Sequence, residues 1–275
     1  MSISVLVLTL NEEVNIGPCL QSVQWSDDIV VLDSLSSDRT VEIAREHAAR
    51  VVQRPFDNYA AQRNFGLQQE YKHPWVLMLD ADERVPEDLR VEMLEATRMA
   101  GENVALFRMR RRDHLFGRWI RGSSGYPTWF GRLARVGRLR VERPINEEYH
   151  ADGDLANLRN HLDHFPFNKG FAAWFAKHDR YSTMEAELRM NGAAERLRWP
   201  DLFRRDADLR RRALKALAYR LPGRPLAMFA ALYLLRGGIL EGRAGLTFCL
   251  LRAWYEFMID CKLTEMKLRR RGQPV

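Results

Sequence analysis

Cysteine is scarce in this 275-residue chain: Cys19, Cys249 and Cys261 stand far apart. Without a C-x-x-C spacing they offer neither a disulfide framework nor a cysteine zinc site, and they fit a reducing compartment. No apolar run approaches the roughly 20 residues of a bilayer-spanning helix. The strongest such run, Leu226 to Leu235, is stopped by Arg236. Polar low-complexity tracts, the mark of disorder, are also missing. The start of the chain enters a β-like segment, Ser2 to Leu10, without a basic n-region or small-residue cleavage site, so no secretion signal is expected. What is present is a globular composition, 46% hydrophobic, sufficient for one large core or one domain with an appendage.

The net charge of +7 is unevenly placed. Residues 195–224 carry ten Arg or Lys against four acids, and smaller basic clusters lie at Arg108 to Arg118 and Lys262 to Arg271. Nucleic acid, an anionic membrane surface and plain solvent all suit such patches. Between Asp208 and Leu221, the residues Leu209, Ala213, Leu217 and Leu221 share a helical face flanked by Arg210, Arg211, Arg212 and Lys215. A basic amphipathic helix beside the apolar segments Leu226 to Leu235, Leu246 to Leu251 and Trp254 to Ile259 favours attachment to a membrane interface over spanning.

From the start to about residue 110, strand-like and helix-like segments alternate. Strands are predicted at Ile3 to Leu10, Asp28 to Leu32, Val51 to Gln53, Trp75 to Leu79 and Val104 to Met109. Helices are predicted at Glu12 to Val23, Thr40 to Ala49, Tyr59 to Glu70 and Glu87 to Met99. This is the pattern of an α/β domain whose mostly parallel sheet is covered on both faces. Residues 111–167, punctuated by Gly117, Gly122, Gly125, Gly131 and Gly137, read as loops and short antiparallel strands suited to a second substrate. Residues 168–275 read as helical, with amphipathic stretches at Ala172 to Glu187 and Asp206 to Leu221 and a break at Pro222-Gly223-Arg224-Pro225.

The chemistry concentrates where the strands end. Trp75-Val76-Leu77-Met78-Leu79 drives a buried strand into Asp80-Ala81-Asp82-Glu83. Strand residues alternate, so Asp80 and Asp82 project the same way at the carboxyl end, where open α/β sheets bind ligands. Two like charges so placed call for a cation or donor groups between them, and hard oxygen ligands suit Mg²⁺ or Mn²⁺ with a phosphate-bearing substrate. The first strand ends in Thr9-Leu10-Asn11-Glu12-Glu13, the second in Asp33-Ser34-Leu35-Ser36-Ser37-Asp38, and Asp38 is placed to cap the next helix. His161 and His164 share an i, i+3 spacing, but no cysteine lies near them, so they read as hydrogen-bonding or core histidines and not as zinc ligands.

Taken in order, S-V-L-V-L-T-L-N-E-E, V-V-L-D-S-x-S-x-D-x-T, A-x-Q-R-N-x-G and L-D-A-D-E resemble a family 2 glycosyltransferase of the GT-A fold. The resemblance implies a Rossmann-like nucleotide-sugar half over residues 1–110, an acceptor side over 111–167 and a membrane-associating helical region over 168–275. It implies that Asp33 binds the nucleotide base, Asp80 the ribose or sugar region, and Asp82 the Mg²⁺ or Mn²⁺. Thr9, Asn11 and Glu12 would line the donor site, and Arg63 and Asn64 would lie near the donor. Leu35 departs from the pattern, since relatives often carry glycine there. The segment Arg143-Pro144-Ile145-Asn146-Glu147-Glu148 is similar to a V-H-E segment of one subgroup, which makes Glu147 the candidate base, with Glu148 next and Asn146 where histidine is frequent. Trp129 and Arg132 are expected to supply an acceptor wall and a phosphate contact.

Over its whole length the chain is most similar to the lipopolysaccharide inner-core β-glucosyltransferase type. That implies inverting transfer of a hexose from a UDP-sugar to a lipid-linked glycan, by a peripheral protein on the inner face of the cytoplasmic membrane. Within enzymes, the rival is a polyprenyl-phosphate sugar synthase. A basic nucleic-acid-binding module ranks low, because no nucleic-acid motif is present and strand-end acids repel phosphates. The intact acidic pair argues against an inactive scaffold.

Overall fold

The computed structural model describes residues 2–142, 148–191, 200–201 and 223–275. Two compact units result, Met1–Trp119 with Tyr126–Lys169, and Ile120–Gly125 with Gly170–Val275.

In the first unit, β1 (Ser4–Thr9), α1 (Glu13–Gln21), β2 (Ile29–Asp33), α2 (Thr40–Glu46), β3 (Arg50–Gln53), α3 (Tyr59–Leu67) and β4 (Trp75–Asp80) alternate as the sequence pattern predicts. They are followed by β5 (Glu83–Arg84), α4 (Glu87–Met99), β6 (Val104–Leu115), β7 (Arg118–Trp119), β8 (Trp129–Arg135), β9 (Leu139–Glu142), β10 (Glu148–Ala151) and β11 (Asp154–His164). The main sheet has the order β3-β2-β1-β4-β8-β6-β11-β5, with β7 beside β6. In it β1, β2, β3, β4, β6 and β11 run one way, while β8 and the short β5 oppose them. A separate antiparallel ribbon joins β9 and β10.

Both sheet faces are covered, and strand alternation decides which residue goes where. Val5 and Val7 of β1 and Trp75, Leu77 and Leu79 of β4 pack with Ile16 and Leu20 of α1 and Leu89 and Met93 of α4. The intervening Leu6, Val76 and Met78 pack on the other face with Ala60 and Leu67 of α3. Full burial of each such large side chain contributes roughly 1.5–3 kcal/mol. α3 approaches so closely that a Cβ on Gly66 would lie 2.5 Å from Leu6 Cδ2, which accounts for glycine at that position.

The structure differs from the sequence reading in residues 111–167. β6 runs on to Leu115, and β11 is an 11-residue strand parallel to it, where loops and short antiparallel strands are predicted. The charged residues that hide these strands in the sequence are paired across them. Arg108 Nε donates to Asn157 Oδ1 at 3.0 Å, and Arg112 Nε to Asp163 Oδ1 at 2.6 Å.

The second unit contains α5 (Gly170–Met190), α6 (Arg224–Ala230), a π-helical turn (Ala231–Leu235), a 3-10 turn (Gly238–Glu241) and α7 (Gly242–Arg270). Gly223 precedes α6 with φ 72° and a proline lies in its first turn, in agreement with the break read at Pro222-Gly223-Arg224-Pro225. The buried Glu256 of α7 accepts from Arg224, and Lys262 Nζ donates to Asp179 Oδ1 of α5 at 2.6 Å. The amphipathic segment predicted at Asp206 to Leu221 lies outside the described residues. Among the described residues, no helix is long and apolar enough to cross a membrane.

Candidate active site

β1 connects through α1 to β2 on one side, whereas α3 returns the chain to β4 on the other. The carboxyl ends of β1 and β4 therefore flank a topological switch point, the place where open α/β sheets leave a crevice for ligands. Thr9, Asn11 and Glu12 stand at one lip, Asp80 and Asp82 at the other.

Asp80 is clasped by two cations. Its Oδ1 accepts from Arg63 Nη2 and its Oδ2 from Arg132 Nη2, each at 2.8 Å. Burial would raise the carboxyl pKa, but Arg63 and Arg132, helped by Arg111, outweigh it and hold the group far below the usual carboxylate range. The fully buried Glu83 completes the network: its Oε1 accepts from Arg132 Nη2 at 2.8 Å and its Oε2 from the Asp80 amide at 3.0 Å. Arg132 is itself buried, and these carboxylates raise its pKa well above the ordinary value against the pull of desolvation. Arg132 thus acts on Asp80 and Glu83, where the sequence reading expects a phosphate contact.

Asp82 has different company. Its Oδ2 lies 3.3 Å from His164 Nε2, and His164 Nδ1 lies 2.6 Å from Asp113 Oδ1. Burial and Arg111 push the His164 imidazolium down, yet Asp82 and Asp113 outweigh them and hold its pKa above the usual value. His164 is a hydrogen-bonding histidine, as the sequence predicts, at the acidic pair itself. Its signal in the sequence is weak, because β11 brings it there from 82 positions away.

The donor set fits a divalent cation in part. Two neighbouring ligands of an octahedral Mg²⁺ stand about 3 Å apart, close to the Asp82–His164 separation. Among the described residues, no group of three or more His, Cys, Asp or Glu side chains is arranged to hold a metal. A site of two protein ligands suits Mg²⁺, which keeps waters and binds substrate phosphates. Asp80 is poorly placed to be a ligand, since both its oxygens already face guanidinium groups.

The remaining candidates shape the rims. Asp33 is fully buried: Oδ2 accepts from the Ser36 amide at 2.9 Å and from Gln53 Nε2 at 2.8 Å, and Oδ1 from Ser36 Oγ. An ionised carboxylate offers about four acceptor sites, and among the described residues these donors take three. Leu35 adopts φ 62°, a left-handed conformation that favours glycine. Asp38, expected to cap the next helix, stands one residue before the N-cap Arg39 and instead ties the loop to both helix starts by accepting from the amides of Thr40 at 3.0 Å and Glu13 at 3.1 Å. Asn11 Oδ1 accepts from the Ser37 amide at 2.8 Å. Glu12 accepts from Asn15 Nδ2 at 2.8 Å and Lys169 Nζ at 2.9 Å, and burial raises its pKa despite both.

Thr9 Oγ1 and Gln62 Oε1 are buried without a hydrogen-bond partner among the described residues. Such orphaned atoms invite a ligand or water. Gln62 lies inside the A-x-Q-R-N-x-G match but was not singled out from the sequence. Asn64 does not face the crevice rim alone: its Nδ2 donates to Val141 O at 2.8 Å and its Oδ1 accepts from the Val141 amide at 2.9 Å, tying α3 to β9. Trp129 is half-exposed at the start of β8, and the Arg110 guanidinium lies 5.1 Å from its ring centroid and 5.8 Å from that of Tyr126. Glu147 lies outside the described residues, and Glu148 is exposed at the start of β10.

The family model described as "Glycosyl transferase family 2" matches residues 4–173, more than half of the chain. The chain belongs to glycosyl transferase family 2. Its sequence is 30% identical over 196 residues to the "Lipopolysaccharide core biosynthesis glycosyltransferase LpsC" of Rhizobium meliloti, covering 68% of this chain and 71% of that one. It is 37% identical over 92 residues to an "Uncharacterized glycosyltransferase" of Rickettsia bellii, covering 33% and 31%. Among solved structures it is similar to glucosyl-3-phosphoglycerate synthase from Mycobacterium tuberculosis, with a TM-score of 0.34, 28% identity, and coverage of 40% of this chain and 44% of that one. Family 2 membership makes the chain a glycosyltransferase with a nucleotide-sugar donor and a glycan acceptor.

Proposed function

We propose that this glycosyltransferase moves a hexose from a UDP-sugar to a lipid-linked saccharide of the lipopolysaccharide core, with inversion, using Mg²⁺ or Mn²⁺. The observation that carries the reading is the division of labour between the two strand-end aspartates. Asp80 is locked by Arg63 and Arg132, while Asp82 pairs at 3.3 Å with His164, whose Nε2 would have to give up its proton before the two could hold a cation together. When bound there, the cation would offset charge on the departing diphosphate.

The protein's own groups do the rest. Asp80, held ionised and immobile, is placed to orient donor hydroxyls, and Asp33 is the proposed acceptor for the base N–H. Thr9 and Gln62 supply orphaned polar atoms toward the donor. Glu147 is the proposed base toward the acceptor hydroxyl, with Glu148 as the alternative, and inversion follows when attack is opposite the leaving diphosphate. Trp129 with Arg110 forms the proposed acceptor wall. The similarity to a lipopolysaccharide core enzyme supports the acceptor class and a peripheral place on the inner face of the cytoplasmic membrane.

A thermal-shift screen of nucleotide sugars with and without Mn²⁺ tests the donor, since ligands that bind only the folded state raise Tm. A UDP-hexose is expected to raise Tm in a Mn²⁺-dependent way, and no response to any UDP-sugar contradicts the reading. Product lability separates the rival polyprenyl-phosphate synthase, because a phosphate-linked sugar is released by mild acid and a sugar-to-sugar bond resists it.

A further inference from the structure

The second unit holds large apolar side chains in solvent at a turn that is firmly built. Between the π-helical turn and α7, Leu234, Leu235, Ile239 and Leu240 are all exposed, Leu235 to 85% and Leu240 to 84%. This is not a fraying end. A Cβ on Gly245 of α7 would lie 2.0 Å from Gly238 O, so the turn is pressed against the helix. Glu241, at the end of the turn, accepts from the Gly122 amide and the Ser123 hydroxyl, and from the Ser123 amide at 3.3 Å.

α7 carries a second set of exposed apolar side chains. Leu246, Leu250, Trp254 and Phe257 are exposed and recur at intervals of four, four and three residues, which at 3.6 residues per turn confines them to an arc of about 80°. The rings of Trp254 and Phe257 lie 5.7 Å apart. The other side of the same helix buries Ala244, Cys249, Leu251 and Ile259, so α7 is apolar on both sides although only one is packed.

The charges in this stretch are sorted. Its two acids are engaged within the unit, Glu241 at Gly122 and Ser123 and Glu256 buried against Arg224. Arg236 at the tip and Arg243 at the start of α7 are exposed. Arg236 and Arg243 thus outnumber Glu241, the acid here that is held by amides and a hydroxyl, beside the exposed apolar side chains. Exposed leucines with flanking arginines complement an anionic lipid surface. Tryptophan near the headgroup level is a further feature of such surfaces.

We propose that the Leu234–Leu240 tip, with the Leu246, Leu250, Trp254 and Phe257 face of α7, seats this protein in the interfacial layer of an anionic bilayer. In the sequence the apolar segments Leu226 to Leu235, Leu246 to Leu251 and Trp254 to Ile259 already point to a membrane interface, and this surface narrows them to the side chains that stand in solvent. The proposal rests on the reading above only for its purpose, access to a lipid-linked acceptor.

The test is flotation of the full chain with vesicles of phosphatidylcholine alone and with one quarter phosphatidylglycerol, for wild type and for the Leu235→Asp/Leu240→Asp variant. Both side chains are exposed, so the variant is expected to keep the wild-type Tm and its UDP-sugar binding while its bound fraction on anionic vesicles falls by at least about tenfold. A second variant, Arg236→Gln/Arg243→Gln, is expected to lose the preference for anionic over neutral vesicles. The proposal is overturned if the leucine variant floats as wild type does, or if the arginine variant keeps the full preference. It is also overturned if wild type stays off both vesicles and forms instead a dimer that Leu235→Asp dissociates. Donor binding is read separately, so failure of the UDP-sugar reading leaves the vesicle result intact.

Discussion

Arg132 Nη2 lies 2.8 Å from Asp80 Oδ2 and the same distance from Glu83 Oε1, so one buried guanidinium fixes the first aspartate of the pair from below. Removing it leaves the buried Glu83 with the more distant Arg111, whose Nη1 stands 3.5 Å from Oε1. Arg132→Met is expected to destabilise the protein by about 3–5 kcal/mol, and adding Glu83→Gln is expected to recover part of that loss. Urea denaturation of the single and double variants measures both. Equal stability of wild type and Arg132→Met contradicts the network.

Asp82 and Asp80 differ in what their removal does to the fold. Asp82→Ala takes away the carboxylate that pairs with His164 and attracts Arg84, so Tm is expected to fall less than in an Asp80 variant while transfer falls by at least about 100-fold. Asp80→Asn takes a carboxylate from both Arg63 and Arg132, although Arg132 keeps Glu83, and is expected to lower Tm more. A reversed order, with Asp82→Ala the more destabilising, contradicts the division of roles.

Asn64 ties α3 to the β9 backbone, just before residues 143–147, which contain the proposed base. Asn64→Ala removes both bonds to the buried Val141 peptide and is expected to cost about 1–3 kcal/mol. Turnover is expected to fall more than UDP binding. Steady-state kinetics beside calorimetric UDP titration separates the two, and a selective loss of UDP affinity contradicts a holding role.

His178 gives the helical unit a pH dependence. Burial lowers its pKa to about 4, while its ring stacks on Trp174 and its Nδ1 lies 2.8 Å from Trp174 O. In the unfolded chain the group titrates near 6.5. The unfolded state therefore binds the proton first: the contribution is fully present above about pH 6.5 and is lost as pH falls toward 4. Denaturation of wild type and His178→Gln from pH 7.5 to 4.5 is expected to show stabilities that converge as the medium is acidified. A constant difference contradicts the assignment.

The parallel half of the sheet was legible because buried strands such as Trp75–Asp80 read as continuous apolar runs and end at punctuated acids. Asp38 was legible as a residue of a helix start, although it stands one position before the N-cap Arg39. β11 was not, because its hydrophilic residues are satisfied across strands by partners some 50 positions away, such as Arg112 for Asp163. Separations of 82 and 52 positions concealed His164 beside Asp82 and the hold of Arg132 on Asp80. Glu83 was visible as the residue after the acidic pair, but its burial beneath them has no local signature. In the helical region the apolar runs were plain in the sequence. Which of their faces is packed and which is exposed depends on how α7 meets the turn before it, and composition carries no trace of that.

The account turns on a cation held at Asp82 together with a diphosphate, and Mn²⁺ spectroscopy reads this directly. Titrating the protein into Mn²⁺ with and without UDP, and following the free-ion paramagnetic resonance signal, is expected to show uptake that UDP strengthens in wild type and that Asp82→Ala and His164→Ala both weaken by about 10-fold or more. Equal uptake by wild type and Asp82→Ala, or uptake indifferent to UDP, contradicts it.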